Sequence, residues 1–290
     1  MKNPDQSQRF LFEEHPIRGQ TVSLDQTWLT IAQQSGLEGQ GLVLLGQALA
    51  AVVLLVDTLK IEGSVTLQIR GKGPLGLLVV EANSKHTVRG IARQEGTIGD
   101  QMTLQEIFGS DCLVITIQTE GAEPHQGIVP LEGTNLSEAL EYYFETSEQL
   151  STRFWLACDE KNVSGMLIQK LPGQSSDEDA WDRAVQLAAT VTNEELQQLP
   201  IGDLLHRLYH QETLRLFEPS SIAFYCSCSR ERTGNMLFSL GKNEVAEILE
   251  QEGEVSVTCE FCNARYGFDR IDVEQLFTNG ETAALSTTTH

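Results

Sequence analysis

Along residues 64–70, apolar Val65, Leu67 and Ile69 alternate with polar neighbours. This is the two-residue period of a half-buried strand. Gly71-Lys-Gly-Pro74 then turns the chain into the apolar run 75–80, which predicts a hairpin. Upstream, residues 42–59 are nearly all apolar, interrupted by Gly46, Gln47 and Asp57. The run is short of the ~20 mostly apolar residues a membrane span needs, so it predicts a buried helix. Residues 87–92, 112–119, 127–130, 153–158 and 166–171 read as further strands between turn-rich segments. Asn135 followed by Glu138 resembles a capping box, opening a helix from Leu136 to about Thr146. Helices are too few and too irregularly placed for repeated strand-helix-strand units, so this part predicts an α+β fold with β-sheets.

The polar breaker run 172–179 marks a change of pattern. After it, Trp181, Ala184, Val185 and Ala188 share one helical stripe, and Thr192 with Glu195 offers a second capping box. Pro200 can start a third helix through Leu204, Leu205 and Leu208, before a strand signal at 214–217. From Ile222 the order is strand, Cys-x-Cys, two helices (about 229–240 and 243–251), strand, Cys-x-x-Cys, strand and a last short helix. The expected organisation is therefore an N-terminal α+β domain over 1–176 and a helical linker over 177–221. A small C-terminal module over 222–278 and a mobile tail over 279–290 complete it.

Composition narrows the partners. With 40% hydrophobic residues in 290, the chain can bury a large core. The net charge of -21 opposes nucleic-acid binding, which depends on clustered Lys and Arg. The N-terminal residues lack the basic, apolar and small-residue segments of a secretory signal, which sets a cytoplasmic expectation with no membrane partner. In that compartment thiols stay reduced, so the six cysteines are better read as metal ligands, redox sensors or buried apolar groups than as a disulfide framework.

Cys259 and Cys262 have the two-residue spacer of a zinc knuckle, and Cys226 and Cys228 can point two sulfurs the same way from an extended segment. Together they supply four soft ligands for one tetrahedral Zn2+, a set that leaves no open position for water or substrate. Two other readings compete: four independent thiols, or a thioredoxin-type redox pair at Cys259 and Cys262. The second lacks a β-α-β context and would leave the other pair idle. Cys112 and Cys158 lie in apparent strands and read as small buried hydrophobes. His206 and His210, at i and i+4, could share a metal, but no third ligand is evident. No Ser-His-Asp or paired-carboxylate set can be assigned, so no catalytic residue is expected and the chain reads as a non-enzyme. The competing function classes are a thiol-disulfide oxidoreductase using Cys259 and Cys262, and a zinc-ribbon nucleic-acid binder. Within residues 226–277 acidic residues outnumber basic ones, which opposes the latter.

The run Cys226-Ser-Cys-Ser-Arg-Glu-Arg232 with Cys259-Glu-Phe-Cys262 resembles the redox-regulated 33-kilodalton heat-shock proteins, also called 33 kDa chaperonins. Phe10-Leu-Phe12, Ile17-Arg-Gly19, Gly71-Lys-Gly-Pro74, Arg89-Gly-Ile-Ala-Arg93, Tyr142-Tyr-Phe144 with Ser147-Glu-Gln-Leu150, and Gly165-Met-Leu-Ile-Gln169 resemble further landmarks of that family, in order along nearly the whole chain. The resemblance implies an ATP-independent holdase that is dormant when reduced and zinc-bound. On oxidation it would bind unfolding client proteins, commonly as a homodimer. The family's zinc ligands map onto Cys226, Cys228, Cys259 and Cys262, and its oxidised form implies Cys226–Cys228 and Cys259–Cys262 disulfides. Cys112 and Cys158 fall outside this pattern. Thr233 stands where some relatives carry a further cysteine, so no function of such a cysteine is carried over.

Overall fold

The computed structural model describes residues 5–59, 61–99, 101–131, 133, 135–173 and 177–286. The chain forms two compact units, Met1–Tyr225 and Cys226–His290.

The first unit is built around two sheets. One joins β1 (Gln6–Phe12), β2 (Ile17–Leu24), β8 (Thr152–Cys158), β9 (Val163–Lys170) and β10 (Leu214–Leu216) in the order β10-β1-β2-β9-β8, with β11 (Ser220–Ser221) also on β1. The other joins β3 (Gly63–Arg70), β4 (Leu75–Asn83), β5 (Thr87–Gln94), β6 (Cys112–Thr119), β7 (His125–Pro130) and β12 (Ala223–Phe224) in the order β12-β5-β4-β3-β6-β7. Helix α2 (Gly39–Leu59) packs against β2, β8 and β9 of the first sheet and β3, β4 and β5 of the second. The helix is long and apolar enough to cross a membrane by composition alone, but most of it is buried in this unit, as a core helix is. Its close approach to the first sheet requires Gly46, since a Cβ there would lie 2.3 Å from Cys158 Sγ.

Two further helices, α1 (Gln26–Ser35) and α3 (Leu104–Phe108), belong to this unit. The helix expected from Asn135 is α4 (Leu136–Tyr143), whose first turn is capped by Asn135 Oδ1 accepting from the Glu138 N–H. It runs on as a π-helical turn over Phe144–Glu148.

The segment that composition sets apart as a linker forms α5 (Ala180–Ala188), α6 (Asn193–Gln198) and α7 (Ile201–Tyr209) and lies within the first unit. The Thr192–Glu195 capping box is complete in both directions. Ala184, Ala188, Leu196, Leu204, Leu205, Leu208 and Tyr209 bury against Phe10, Phe12, Ile17, Met166 and Ile168, the face of the first sheet turned away from α2. That sheet is thus covered on both sides, which is why β9 is buried at every position but its last.

Nothing in the hydrophobic pattern marks β1 and β2, and the reason is polar burial. Ser7, Gln20 and Thr21 are buried at positions where a strand core normally carries apolar residues. Ser7 Oγ and Gln20 Nε2 donate to Asp57 Oδ2 of α2, at 2.5 and 2.8 Å. Burial raises the Asp57 carboxyl above the usual carboxylate range, offset in part by the Ser7 hydrogen bond.

The second unit comprises α8 (Arg230–Leu240), α9 (Lys242–Glu252), a hairpin of β13 (Val255–Thr258) and β14 (Arg265–Phe268), and α10 (Arg270–Ser286). Its apolar core is Leu237, Val245, Leu249, Val255, Phe268, Val273 and Phe277. The backbone over 279–286, where a mobile tail is expected, continues α10, and 287–290 lie outside the described residues.

Candidate metal centre

Two loops bring four sulfurs together in the second unit. The first, Cys226-Ser-Cys228, runs extended into α8, whose N-cap Ser229 accepts from the Arg232 N–H at 3.1 Å. Arg232 Nη1 also donates to Ser227 Oγ at 2.7 Å, fixing the residue between the two cysteines. The second loop joins β13 to β14. Cys259 N–H donates to Ala264 O and Asn263 N–H to Cys259 O, each at 2.8 Å, and Asn263 takes the left-handed φ of 57° that closes the turn. The knuckle inferred from Cys-x-x-Cys spacing is thus a tight turn between strands, not the start of a helix, and the thioredoxin-type alternative lacks its helix N-terminus.

The four Sγ atoms lie within 4.8 Å of one another. Cys226 Sγ is 3.6 Å from Cys259 Sγ, and Cys228 Sγ is 3.3 Å from Cys262 Sγ. A tetrahedron of ~2.3 Å metal–sulfur bonds has edges of about 3.8 Å, so four thiolates in this arrangement fit one zinc ion with small adjustments. All four are half-buried, as a structural site with limited solvent access requires. Tyr266, on β14, donates its hydroxyl to Cys228 Sγ at 3.1 Å. That hydrogen bond lowers the Cys228 thiol to about 7 and raises Tyr266 to about 12. Burial raises Cys226, and burial pushes Cys262 up to about 12.

Arg230, in the first turn of α8, donates to Gly267 O at 2.6 Å and to Asp272 Oδ2 at 2.7 Å, and lies 4.4 Å over the Phe268 ring. It holds β14 and α10 to the helix that follows the first cysteine loop. Tyr266, Arg230 and Arg232 are absent from the sequence expectations for the site. The signal for the arginines is the charged run Ser229–Arg232 directly after Cys228; the signal for Tyr266 is an aromatic residue in a strand four positions past Cys262.

The other candidate residues stay apart from this centre. His206 in α7 and His210 at its C-cap are exposed with ring centroids 6.3 Å apart, and among the described residues they join no group of three or more possible ligands. Cys112 is half-buried in β6. Cys158 packs against the first unit's core, and burial pushes its thiol up to about 12. The Gly71–Pro74 turn packs on the backbone of Phe108 and Gly109, as a turn and not a phosphate loop.

An α+β body followed by a small module built on four convergent thiols defines a protein whose C-terminal module could hold a metal ion. The family model described as Hsp33 protein matches residues 5–269, and the chain belongs to that family. It is 47% identical over 290 residues to the 33 kDa chaperonin of Nitrosococcus oceani, covering 100% of both chains. It is 43% identical to that of Pseudomonas aeruginosa, again covering 100% of both, and 44% identical to that of Vibrio vulnificus, covering 93% of this chain and 94% of the other. The crystal structure of the 33 kDa chaperonin from Thermotoga maritima superposes with a TM-score of 0.81 at 23% identity, covering 96% of this chain and 99% of that one, which establishes the shared fold.

Proposed function

We propose that this member of a chaperone family is a redox-regulated, ATP-independent holdase, dormant while Cys226, Cys228, Cys259 and Cys262 are reduced and hold one zinc ion. Oxidation to Cys226–Cys228 and Cys259–Cys262 disulfides releases it to bind unfolding proteins in the cytoplasm, as a homodimer. The relatives' names support the chaperone; the convergence of four sulfurs within 4.8 Å carries the redox control.

When bound, zinc supplies a cross-link between two loops, worth roughly 10–16 kcal/mol of apparent binding free energy for structural sites of this kind. Among the described residues the module's own core is seven buried apolar side chains, too few to hold a unit of this size firmly by burial alone. Oxidation draws two electrons from each cysteine pair, and a disulfide sulfur is a far weaker ligand than a thiolate. Pairing within each loop closes only a tiny ring and leaves the loops free of each other. Pairing across them would close a long loop and keep the module tied. Disulfides within the loops are therefore the arrangement that loosens the module.

The apolar surface for clients lies in the first unit under α5–α7: Phe10, Phe12, Ile17, Met166 and Ile168 face these helices and would meet solvent or a client once they lift. The helices are six to nine residues long and owe their stability to that contact.

The test measures bound zinc and suppression of client aggregation on the same sample, reduced and then peroxide-treated. One zinc per chain with weak suppression, followed by zinc loss with strong suppression, is expected. Absence of stoichiometric zinc, or equal suppression in both states, overturns the proposal.

A further inference from the structure

Tyr266 stands out in the second unit because its hydroxyl points at one of the four sulfurs. Its place is fixed by register: Tyr266 pairs with Val257 in the β13–β14 hairpin, two residues from Cys259 on the opposite strand, and its side chain packs against the module core. It therefore belongs to the scaffold of the second cysteine loop, yet its hydroxyl donates to Cys228 Sγ of the first loop at 3.1 Å. We propose that Tyr266 is a positioning residue for the thiol centre, whose donated hydrogen bond restrains the reaction of Cys228 with peroxide and so sets the oxidant level at which the centre opens. This rests on the zinc-thiolate reading above.

The chemistry follows from what a sulfur must do to be oxidised. Its lone pair attacks one peroxide oxygen and the O–O bond breaks. The departing oxygen takes a proton and leaves as water, and the sulfur becomes a sulfenic acid. A second cysteine, Cys226 in the proposed pairing, then attacks that sulfur; the S–O bond breaks, an S–S bond forms and a second water leaves. Two electrons pass from two cysteines to one hydrogen peroxide, and the two protons come from the thiols or solvent. With zinc bound the sulfur would already be a thiolate, so the donor's effect on acidity drops out and what remains is a lone pair that it engages and makes less available for the first step; hydrogen bonds to metal-bound sulfurs tune their redox behaviour. The donor also ties the two loops together, so Cys228 moves less freely toward an attacking geometry.

The experiment uses the full chain loaded with zinc, wild type and Tyr266→Phe, at pH 7 under excess hydrogen peroxide. Zinc release is followed with a metallochromic dye, and the first sulfenic acid is trapped with dimedone and mapped. Tyr266→Phe is expected to hold one zinc per chain and to release it roughly three- to tenfold faster, the effect of losing part of one hydrogen bond to a charged group. The cobalt-loaded variant is expected to show a shifted sulfur-to-metal charge-transfer band, which a residue that only packs would leave unmoved. Full zinc loading with a release rate equal to or slower than wild type overturns the proposal for Tyr266. Wild-type protein without zinc overturns the metal reading instead. If Tyr266→Phe cannot hold zinc, 3-fluorotyrosine at position 266 keeps the ring's packing and donates more strongly. Release must then slow, and unchanged or faster release overturns the proposal.

Discussion

The two units keep their shape by different means. In the first, a 21-residue helix is enclosed between two sheets, and a second layer of helices seals the outer face of one of them. In the second, two helices, a hairpin and α10 share seven buried core side chains among the described residues, and the two cysteine loops converge at their four sulfurs. Burial of apolar area responds weakly to chemical conditions, whereas a thiolate cluster exists only under reducing ones. Under the proposed redox control, the dependence on sulfur is confined to a small part whose remaining interactions are too few to replace it.

The sharpest way to break this contrast is to remove the metal. Chelation, or Cys262→Ser, is expected to unfold the second unit, a loss on the order of 10 kcal/mol or more, while the first stays intact. Amide exchange read segment by segment checks it: β13, β14 and α8 lose protection and α2 keeps it. A second unit still protected without metal would erase the difference between the two.

The reciprocal experiment is Leu49→Ala at the centre of α2, where the side chain is fully buried. A loss of about 2–5 kcal/mol is expected in the first unit, seen as a lowered unfolding midpoint, with zinc content unchanged. Smaller again, Thr192→Ala removes the cap of α6 and is expected to cost about 1 kcal/mol, read as faster exchange in α5–α7 in the reduced protein. That change should also lower the peroxide needed for client binding, because these helices cover the proposed client surface.

The smallest effect is a pH dependence. Because burial raises Asp57 in the folded protein, folding favours its protonated form. The stability this contributes is fully present below the ordinary carboxylate range and is lost as pH rises through the raised value. Asp57→Asn is expected to flatten the first unit's unfolding midpoint across that window, relative to wild type, in thermal melts at a series of pH values.

How much of this was legible in the sequence follows from which signals are local. The α2 run, the hairpin at the Gly71–Pro74 turn and the order of elements around the cysteines depend on neighbours in the chain, and each stands where the pattern puts it. The four sulfurs were legible because short spacers leave few geometries. The first two strands were not: Ser7 and Gln20 look like surface residues until the Asp57 carboxylate that binds them is known, and that partner sits on α2. Tyr266 was hidden for the same reason, since its contact with Cys228 spans 38 positions. Packing of α5–α7 onto the first sheet was half visible, as an apolar stripe that calls for a sheet face to cover, although the strands forming that face are set by distant residues.

Gly46 carries a consequence for fidelity. Because the helix presses its bare backbone onto Cys158, that thiol is walled in on one side, although its other side borders a surface groove lined by Gln40, Val43 and Lys161. Burial pushes that thiol up to about 12, which keeps it in the protonated form that reacts poorly. An oxidant that reaches the groove therefore meets a sulfur with almost no appetite for it. The backbone closed over Cys158 and the proton its thiol keeps together guard that sulfur, so peroxide has little chance of leaving a misplaced bond in the core of the larger unit.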